Sequence, residues 1–348
     1  MRRPRRRRCW TADPAAGGGA VKALVQTAVE RLELQDVAPP PPRDDEVLVR
    51  IEASGICGSD MHAFLGHDAR RPTPIVLGHE AAGVVVETGE RVTINPLVAC
   101  GTCAPCAQGR ENLCPNRQII SMPPRPGAFS QLVSMPRRNL VEVPADVSLE
   151  KAALAEPIAC GWHAVRLGRT YLGGSLDGVD AVVIGGGAIG VGAALCLRAQ
   201  GAGAVTIVEP NAVRRAYLAE RTDFAVAEQA DVTVPIVVDA VGYAATRAEA
   251  SRLAAPGGVI VHIGLGEATG GLDARRMTLH EIAFLGTYTY TAQDFQETAA
   301  AMFAGRLGPL DWTESRPLAD GAQAFADIRA GAVAAPKIVL QPHGRQGA

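Results

Sequence analysis

The chain has 348 residues, 47% of them hydrophobic and 20% charged, and a net charge of −2. That length supports two domains with their own cores, and the near-neutral charge argues against any general affinity for nucleic acid or an anionic membrane. No apolar run reaches the length of a bilayer span, so a soluble, cytoplasmic protein is expected.

Arg2, Arg3, Arg5, Arg6, Arg7 and Arg8 crowd the first ten residues, and a Pro/Ala/Gly stretch follows as far as Ala20. Such a segment has the composition of a nucleic-acid arm or a transit peptide, but no apolar stretch follows it, which excludes a secretory signal. Residues 1–20 are read as a disordered extension, with Val21 as the natural start of the protein. From 21 to 157 the sequence consists of short β-like runs broken by Pro and Gly, for example 46–51 and 82–86, with the prolines at 39–42 forming a rigid loop. Within this region Cys57-Gly58-Ser59-Asp60-Met61-His62 and Gly78-His79-Glu80 are two short clusters of metal-ligand residue types.

Cys100, Cys103, Cys106 and Cys114 follow. Zinc with no open coordination position takes four soft ligands in a tetrahedron, and this spacing lets one loop supply them. Gly101, Pro105 and Gly109 supply the turns that aim the thiols at one point. Disulfides are the competing reading, but without a secretory signal the thiols are expected to stay reduced and to bind metal.

From 158 the pattern changes to apolar strands alternating with Ala-rich helices. Strands are predicted at 181–184, 204–208, 235–239 and 258–263, and helices at 189–199 and 212–221. Unbroken Val/Ile strands between helices predict a doubly wound parallel sheet of Rossmann type over 158–290. Gly185, Gly187 and Gly190, with Ala188 and Ile189 between the last two, form a Gly-x-Gly-x-x-Gly turn from strand to helix. The first glycine permits the tight turn, the second the approach of a pyrophosphate, and the third close packing of helix on strand. Glu209 closes the next strand about 20 residues further on, where an acid can accept hydrogen bonds from the adenosine ribose and repel a 2′-phosphate. That favours NAD over NADP, although Arg214 one helical turn later would suit a phosphate.

These motifs, in this order from Val21 to Pro342, resemble the zinc-dependent medium-chain dehydrogenases. Glu156-Pro157 brings the chain nearest to the sorbitol, threonine and butanediol dehydrogenase branch. The resemblance implies an α/β protein with a GroES-like β-barrel catalytic domain at 21–157 and 291–348, enclosing the Rossmann domain at 158–290. It implies two zinc ions per chain, the structural one on the four cysteines and the catalytic one on Cys57, His79 and Glu80, with Glu156 as a further ligand or the holder of the zinc-bound water. Asp60 would orient His79, and Ser59 and His62 would relay the hydroxyl proton. Val241, Ile263, Gly264 and Leu265 would flank the nicotinamide, and Lys337 would approach the pyrophosphate. The implied reaction is hydride transfer from a small-molecule secondary alcohol, polyol or related hydroxy compound to NAD, in a homodimer or homotetramer.

The sequence departs from that family between Val86 and Arg91, where only Glu87-Thr88-Gly89-Glu90 stands in place of a longer turn and strand. This puts the rigidity of the barrel around His79 and Glu80 in question and keeps an inactive relative as the alternative. A zinc-knuckle nucleic-acid-binding protein is a remote second. The stretch 221–234 is also short, which predicts an abbreviated adenosine pocket. Phe64, Phe129 and Tyr288 are candidates for the substrate pocket, and Arg125 for contact with a polar or phosphorylated substrate. Cys160 and His163 are read as packing.

Overall fold

A computed structural model describes residues 19–344. The extension expected at 1–20 therefore lies, up to residue 18, outside the described residues. The N-terminal unit is built from β1 (Val21–Ala28), β2 (Arg31–Val37), β3 (Glu46–Gly55), β4 (Ile75–Val76), β5 (Glu80–Val85), β6 (Arg91–Ile94), β7 (Leu97–Val98), β8 (Gln118–Ile119), β9 (Leu132–Pro136) and β10 (Leu140–Glu142). The short helices α1 (Gly58–Phe64), α2 (Ala104–Ala107) and α3 (Leu149–Ala152) sit in its loops. The long strand β3 is the hub, pairing antiparallel with β5 and β9 and, at its end, with the C-terminal strand. The alternation of its residues buries Val49 and Ile51 on one face, and Val85, Val92, Ile94 and Val133 pack with them.

The shortened segment proves to be a complete hairpin. β5 and β6 pair from Ala81↔Ile94 to Val84↔Arg91, and the turn closes with the Glu90 carbonyl accepting from the Val85 amide. Gly89 takes φ +75°, a conformation that suits glycine. The strand that carries Glu80 is therefore paired on both edges, and its residues are fully or largely buried.

The middle of the chain forms α4 (Ala155–Tyr171), β11 (Ala181–Ile184), α5 (Ala188–Ala199), β12 (Val205–Val208), α6 (Ala212–Arg221), β13 (Ala225–Ala227), β14 (Val234–Asp239), α7 (Ala244–Leu253), β15 (Ala254–His262), α8 (Ala274–Leu279) and β16 (Ala283–Gly286). All pairs in the sheet are parallel, in the order β13-β12-β11-β14-β15-β16. The order reverses between β11 and β14, which opens a crevice at their carboxyl ends. Val182, Val183, Ile236, Val237 and Val238 are fully buried because both faces of the sheet are covered. Each such side chain contributes about 1.5–3 kcal/mol relative to exposure. The link 228–233 between β13 and β14 carries no helix.

The chain ends with α9 (Ala292–Phe303), β17 (Thr313–Pro317), α10 (Gly321–Arg329) and β18 (Lys337–Gln341). Two boundaries move. The helix α4 runs unbroken across 157, and α9 packs on α4 rather than on the first unit, its Phe295, Ala301 and Met302 joining the core under the parallel sheet. The return to the first unit is made by β17 and β18, not at 291. The polar contacts that seat α9 on α4 explain why. Asp294 accepts from Arg166 Nε at 2.6 Å and lies 2.7 Å from His163 Nδ1, and Glu297 accepts from the Trp162 indole at 3.1 Å. No helix among the described residues is long and apolar enough to cross a membrane.

Candidate active site and metal centres

Cys100, Cys103, Cys106 and Cys114 converge as expected. Their sulfurs stand 3.4 Å apart for Cys103 and Cys106, 3.5 Å for Cys114 and Cys100, and 4.0 Å for Cys100 and Cys106. A tetrahedron of Zn–S bonds of about 2.3 Å has edges of about 3.8 Å, so the donor set fits zinc. Gly101 and Gly109, at φ +76° and +66°, turn the loop between the ligands. The thiols also differ as acids. Amide hydrogen bonds from Thr102 and Cys103, with the Thr102 hydroxyl, draw Cys100 down to about 5, whereas burial and the Cys103 thiol push Cys106 up to about 12. Four thiolates this close repel one another unless a cation stands between them.

The lobe that carries these cysteines also contacts Tyr288, which precedes α9. Asn112 donates to the Tyr288 carbonyl at 2.8 Å, and the Arg117 guanidinium lies 4.9 Å from the Tyr288 ring centroid.

In the second cluster, ligand atoms of Cys57, His79 and Glu80 lie within 4.8 Å of one another. Cys57 leads into α1 and His79 precedes β5, so the cluster joins a helix start to a strand start. Gly55 makes room for it, since a Cβ there would fall 2.1 Å from Glu80 Oε2. That Oε2 is buried and has no hydrogen-bond partner, an orphaned acceptor that suits a metal ligand. Asp60 is fully buried and accepts from the amides of Cys57 and Gly78, and its Oδ1 lies 3.4 Å from His79 Nδ1. That contact is a close approach rather than a formed hydrogen bond, so the orienting role expected for Asp60 rests on charge in this state. Burial alone would raise the Asp60 pKa, but His79, Arg71 and the Cys57 amide hold it down to about 2. His79 is raised well above its ordinary value, because Asp60 and Cys57 outweigh its own burial.

Glu156, in the first turn of α4, lies outside this tight cluster but lines the same cleft. It accepts a hydrogen bond of 2.8 Å from the Tyr290 hydroxyl. Burial raises Glu156 to about 7, with Glu80 adding to the rise and His79, Tyr290 and Lys337 opposing it. Ser59 and His62, neighbours on one face of α1, both line the cleft.

The cleft has a volume of about 1370 Å³ and runs from Cys57 and His79 along the crevice to Glu209. Gly185, Gly187 and Ile189 line it, as do Val241, Ile263, Gly264 and Leu265. Gly185 takes φ +104°, and a Cβ on Gly190 would fall 1.8 Å from the Gly185 carbonyl oxygen, so helix and turn touch there. A Cβ on Gly187 would meet nothing within 4 Å, which leaves the second glycine facing open space of the kind a pyrophosphate needs. Gly190 and Ala188 shape the turn without lining the cleft. Glu209 is buried, with Oε2 accepting from the Gly186 amide at 2.9 Å and Oε1 from Asn211 at 2.8 Å. Carboxylate oxygens hold about four acceptor sites in all, so the ribose hydroxyls still find lone pairs there. Arg214 lines the cleft but donates to the Val333 carbonyl at 3.1 Å.

Several expectations are corrected. Lys337 does not line the cleft. Its Nζ donates to Glu80 Oε1 at 2.6 Å and to the Ile56 carbonyl at 2.8 Å, because β18 pairs with the end of β3 and brings the ammonium to Glu80. Phe64 and Phe129 are core residues packed around Phe325, and only Tyr288 of that trio lines the cleft. Arg125 is buried, held by Glu46 at 2.7 Å and Gln118 at 2.8 Å, and is closed to a substrate. Cys160, one turn after Glu156, lines the cleft rather than only packing. Sequence reasoning did not single out Tyr290, Arg70 or Arg71. The paired arginines were visible as a motif, but nothing in the sequence linked Tyr290 to Glu156.

Residues 43–145 match the alcohol dehydrogenase GroES-like domain family, and residues 188–304 the zinc-binding dehydrogenase family. The chain is 32% identical to L-galactonate-5-dehydrogenase of Escherichia coli over 77% of its own length and 83% of that protein. It is 34% identical to sorbitol dehydrogenase of Bacillus subtilis over 56% of its length and 57% of the relative. The structure of acetophenone reductase from Geotrichum candidum, solved in complex with NAD, superposes with a TM-score of 0.82 at 27% identity, covering 94% of this chain and 98% of the other. With the GroES-like and Rossmann units, the thiolate lobe and the Cys57/His79/Glu80 cluster in place, this chain belongs to the zinc-dependent medium-chain alcohol and polyol dehydrogenase family and is an oxidoreductase.

Proposed function

We propose that the chain oxidises a secondary alcohol, polyol or related hydroxy compound, with hydride passing to NAD and a ketone or aldehyde as product. The observation that carries this reading is a single cleft joining the Cys57/His79/Glu80 cluster to the glycine turn and Glu209. Cys57, His79 and Glu80 would hold the catalytic zinc, with Glu156 close by, and the four cysteines the structural one. Zinc bound there supplies Lewis acidity towards a hydroxyl oxygen, and NAD supplies the hydride acceptor. Ser59 takes the hydroxyl proton and His62, exposed one turn along α1, passes it to solvent. Val241, Ile263, Gly264 and Leu265 hold the nicotinamide against the cleft wall, so that donor carbon and acceptor ring meet in a reactive orientation. NAD is favoured over NADP because the buried Glu209 carboxylate stands on the Gly186 amide of the glycine turn, where it would accept from the adenosine ribose and repel a 2′-phosphate.

The same reading takes the protein as a cytoplasmic homodimer or homotetramer. In its support, the edge strand β16 pairs only with β15 among the described strands and leaves Phe284 and Leu285 half-buried. The test is elemental analysis of zinc per chain, followed by NADH formation from a panel of secondary alcohols and polyols. Protein with two zinc ions bound that reduces NAD with none of them would overturn the reading.

A further inference from the structure

The loop between α1 and β4 places two arginines, Arg70 and Arg71, on the wall of the cleft at the Cys57 end. Arg71 is 4% exposed, and burying a guanidinium to that degree requires partners. It has few. Its Nη1 donates to the Ser59 carbonyl at 2.6 Å, its Nη2 reaches Ser59 Oγ at 3.4 Å, and its Nε has no partner. The nearest carboxylate in its ion-pair range is Asp68, 3.8 Å away, and Arg70 already occupies both oxygens of Asp68 at 2.8 and 2.9 Å. Asp60 also acts on Arg71, but it is committed to His79 and to two backbone amides. Two guanidiniums thus share the carboxylate of Asp68, whose two oxygens Arg70 already engages. Among the described residues the only acid lining this end of the cleft is Glu156, which is tied to Tyr290.

The excess positive charge lies beside Ser59, the residue assigned to the substrate hydroxyl. A neutral polyol would leave it uncompensated and would have to desolvate it. Guanidiniums match the planar, bidentate geometry of a carboxylate or a phosphate. We propose that the substrate is an anionic polyol, carrying a carboxylate or phosphate a few carbons from the reacting hydroxyl, and that Arg70 and Arg71 receive that anion. The proposal rests on the dehydrogenase reading above and narrows its substrate class. Arg71 has a second task, holding Ser59, so Arg70 is the residue to vary. Its side chain is 61% exposed, and its replacement leaves the core untouched.

The experiment compares kcat/KM, in zinc-loaded protein with NAD, for a hexitol, the matching aldonate and the matching hexitol phosphate. One anion is expected to exceed the hexitol by about tenfold or more, the scale of a charge-assisted hydrogen bond. Which anion does so identifies the group received. Arg70→Gln should bring the anion-to-neutral ratio down towards one, chiefly through KM, and added salt should lower the ratio in the parent protein. Equal values for all three compounds, or an equal loss for all three in Arg70→Gln, would overturn the proposal while leaving the dehydrogenase reading intact. If no compound reduces NAD, calorimetric titration of aldonate and hexitol phosphate into the zinc-loaded protein decides. Binding that is lost in Arg70→Gln keeps the anion site and leaves the dehydrogenase reading to the wider alcohol panel, whereas absence of binding removes the anion site.

Discussion

Lys337 Nζ lies 2.6 Å from Glu80 Oε1, an ion pair between residues 257 apart in sequence and both almost completely buried. It ties the last strand to the Cys57/His79/Glu80 cluster and sets a cation against a buried carboxylate. Removing one member of such a pair leaves the other uncompensated. Lys337→Met is expected to destabilise the zinc-free protein by about 3 kcal/mol. Zinc on Glu80 would restore the missing charge, so the deficit should shrink on zinc addition. Denaturant titrations with and without zinc measure both, and an equal deficit in the two states would refute the compensation.

The Tyr290 hydroxyl donates to Glu156, and this hydrogen bond helps to hold down a carboxyl that burial raises to about 7. In Tyr290→Phe the bond is gone and the Glu156 pKa should rise further. If ionised Glu156 is the working form, the acid limb of the kcat/KM profile should move to higher pH, with the activity at its plateau less affected. The pH profiles of the two proteins check this, and coincident acid limbs would count against it.

Gly187 and Gly190 separate cofactor binding from folding. A Cβ at Gly187 meets open space, so Gly187→Ala should melt like the parent protein yet bind NADH about tenfold or more weakly, because backbone and pyrophosphate approach closely there. A Cβ at Gly190 would strike the Gly185 carbonyl, so Gly190→Ala should lose thermal stability as well as cofactor affinity. Melting curves and NADH fluorescence titrations distinguish the two variants.

Asp294 joins α9 to α4. Burial opposes its ionisation, but His163, Arg166 and Thr291 hold its carboxyl well below the ordinary carboxylate range. A folded pKa below the unfolded value of about 3.9 means that the stabilisation is complete above that pH and is lost as pH falls through the folded value. Asp294→Asn should therefore cost about 3 kcal/mol at neutral pH, and the gap to the parent should close in acid. Thermal unfolding from neutral pH down to strong acid tests the sign.

The thiolate lobe is expected to act on the cleft through Tyr288. Cys103→Ser should lower zinc to one ion per chain and loosen the seat that Asn112 and Arg117 give that tyrosine. Substrate KM should then rise more than kcat falls. Zinc analysis together with steady-state kinetics reads out both effects.

The sequence by itself determined what depends on local spacing and periodicity. The four cysteines lie within one loop, the glycine turn follows an apolar strand directly, and Glu209 closes the next strand. Each is settled by residues close in the chain, so residue types and intervals suffice. Val/Ile runs between helices likewise require a sheet covered on both faces. The tertiary structure alone decided the contacts that cross the molecule. Lys337 reaches Glu80 rather than a phosphate because strand pairing, which no interval in the sequence encodes, sets β18 against β3. Arg125 and Phe129 turn inward, and Arg70, Arg71 and Tyr290 turn to the cleft, because the path of each loop is set by what it packs on. The short 86–91 segment looked like a defect in the sequence. It is a closed hairpin because the hydrogen bonds of its turn are satisfied within the pair, which only the folded register reveals.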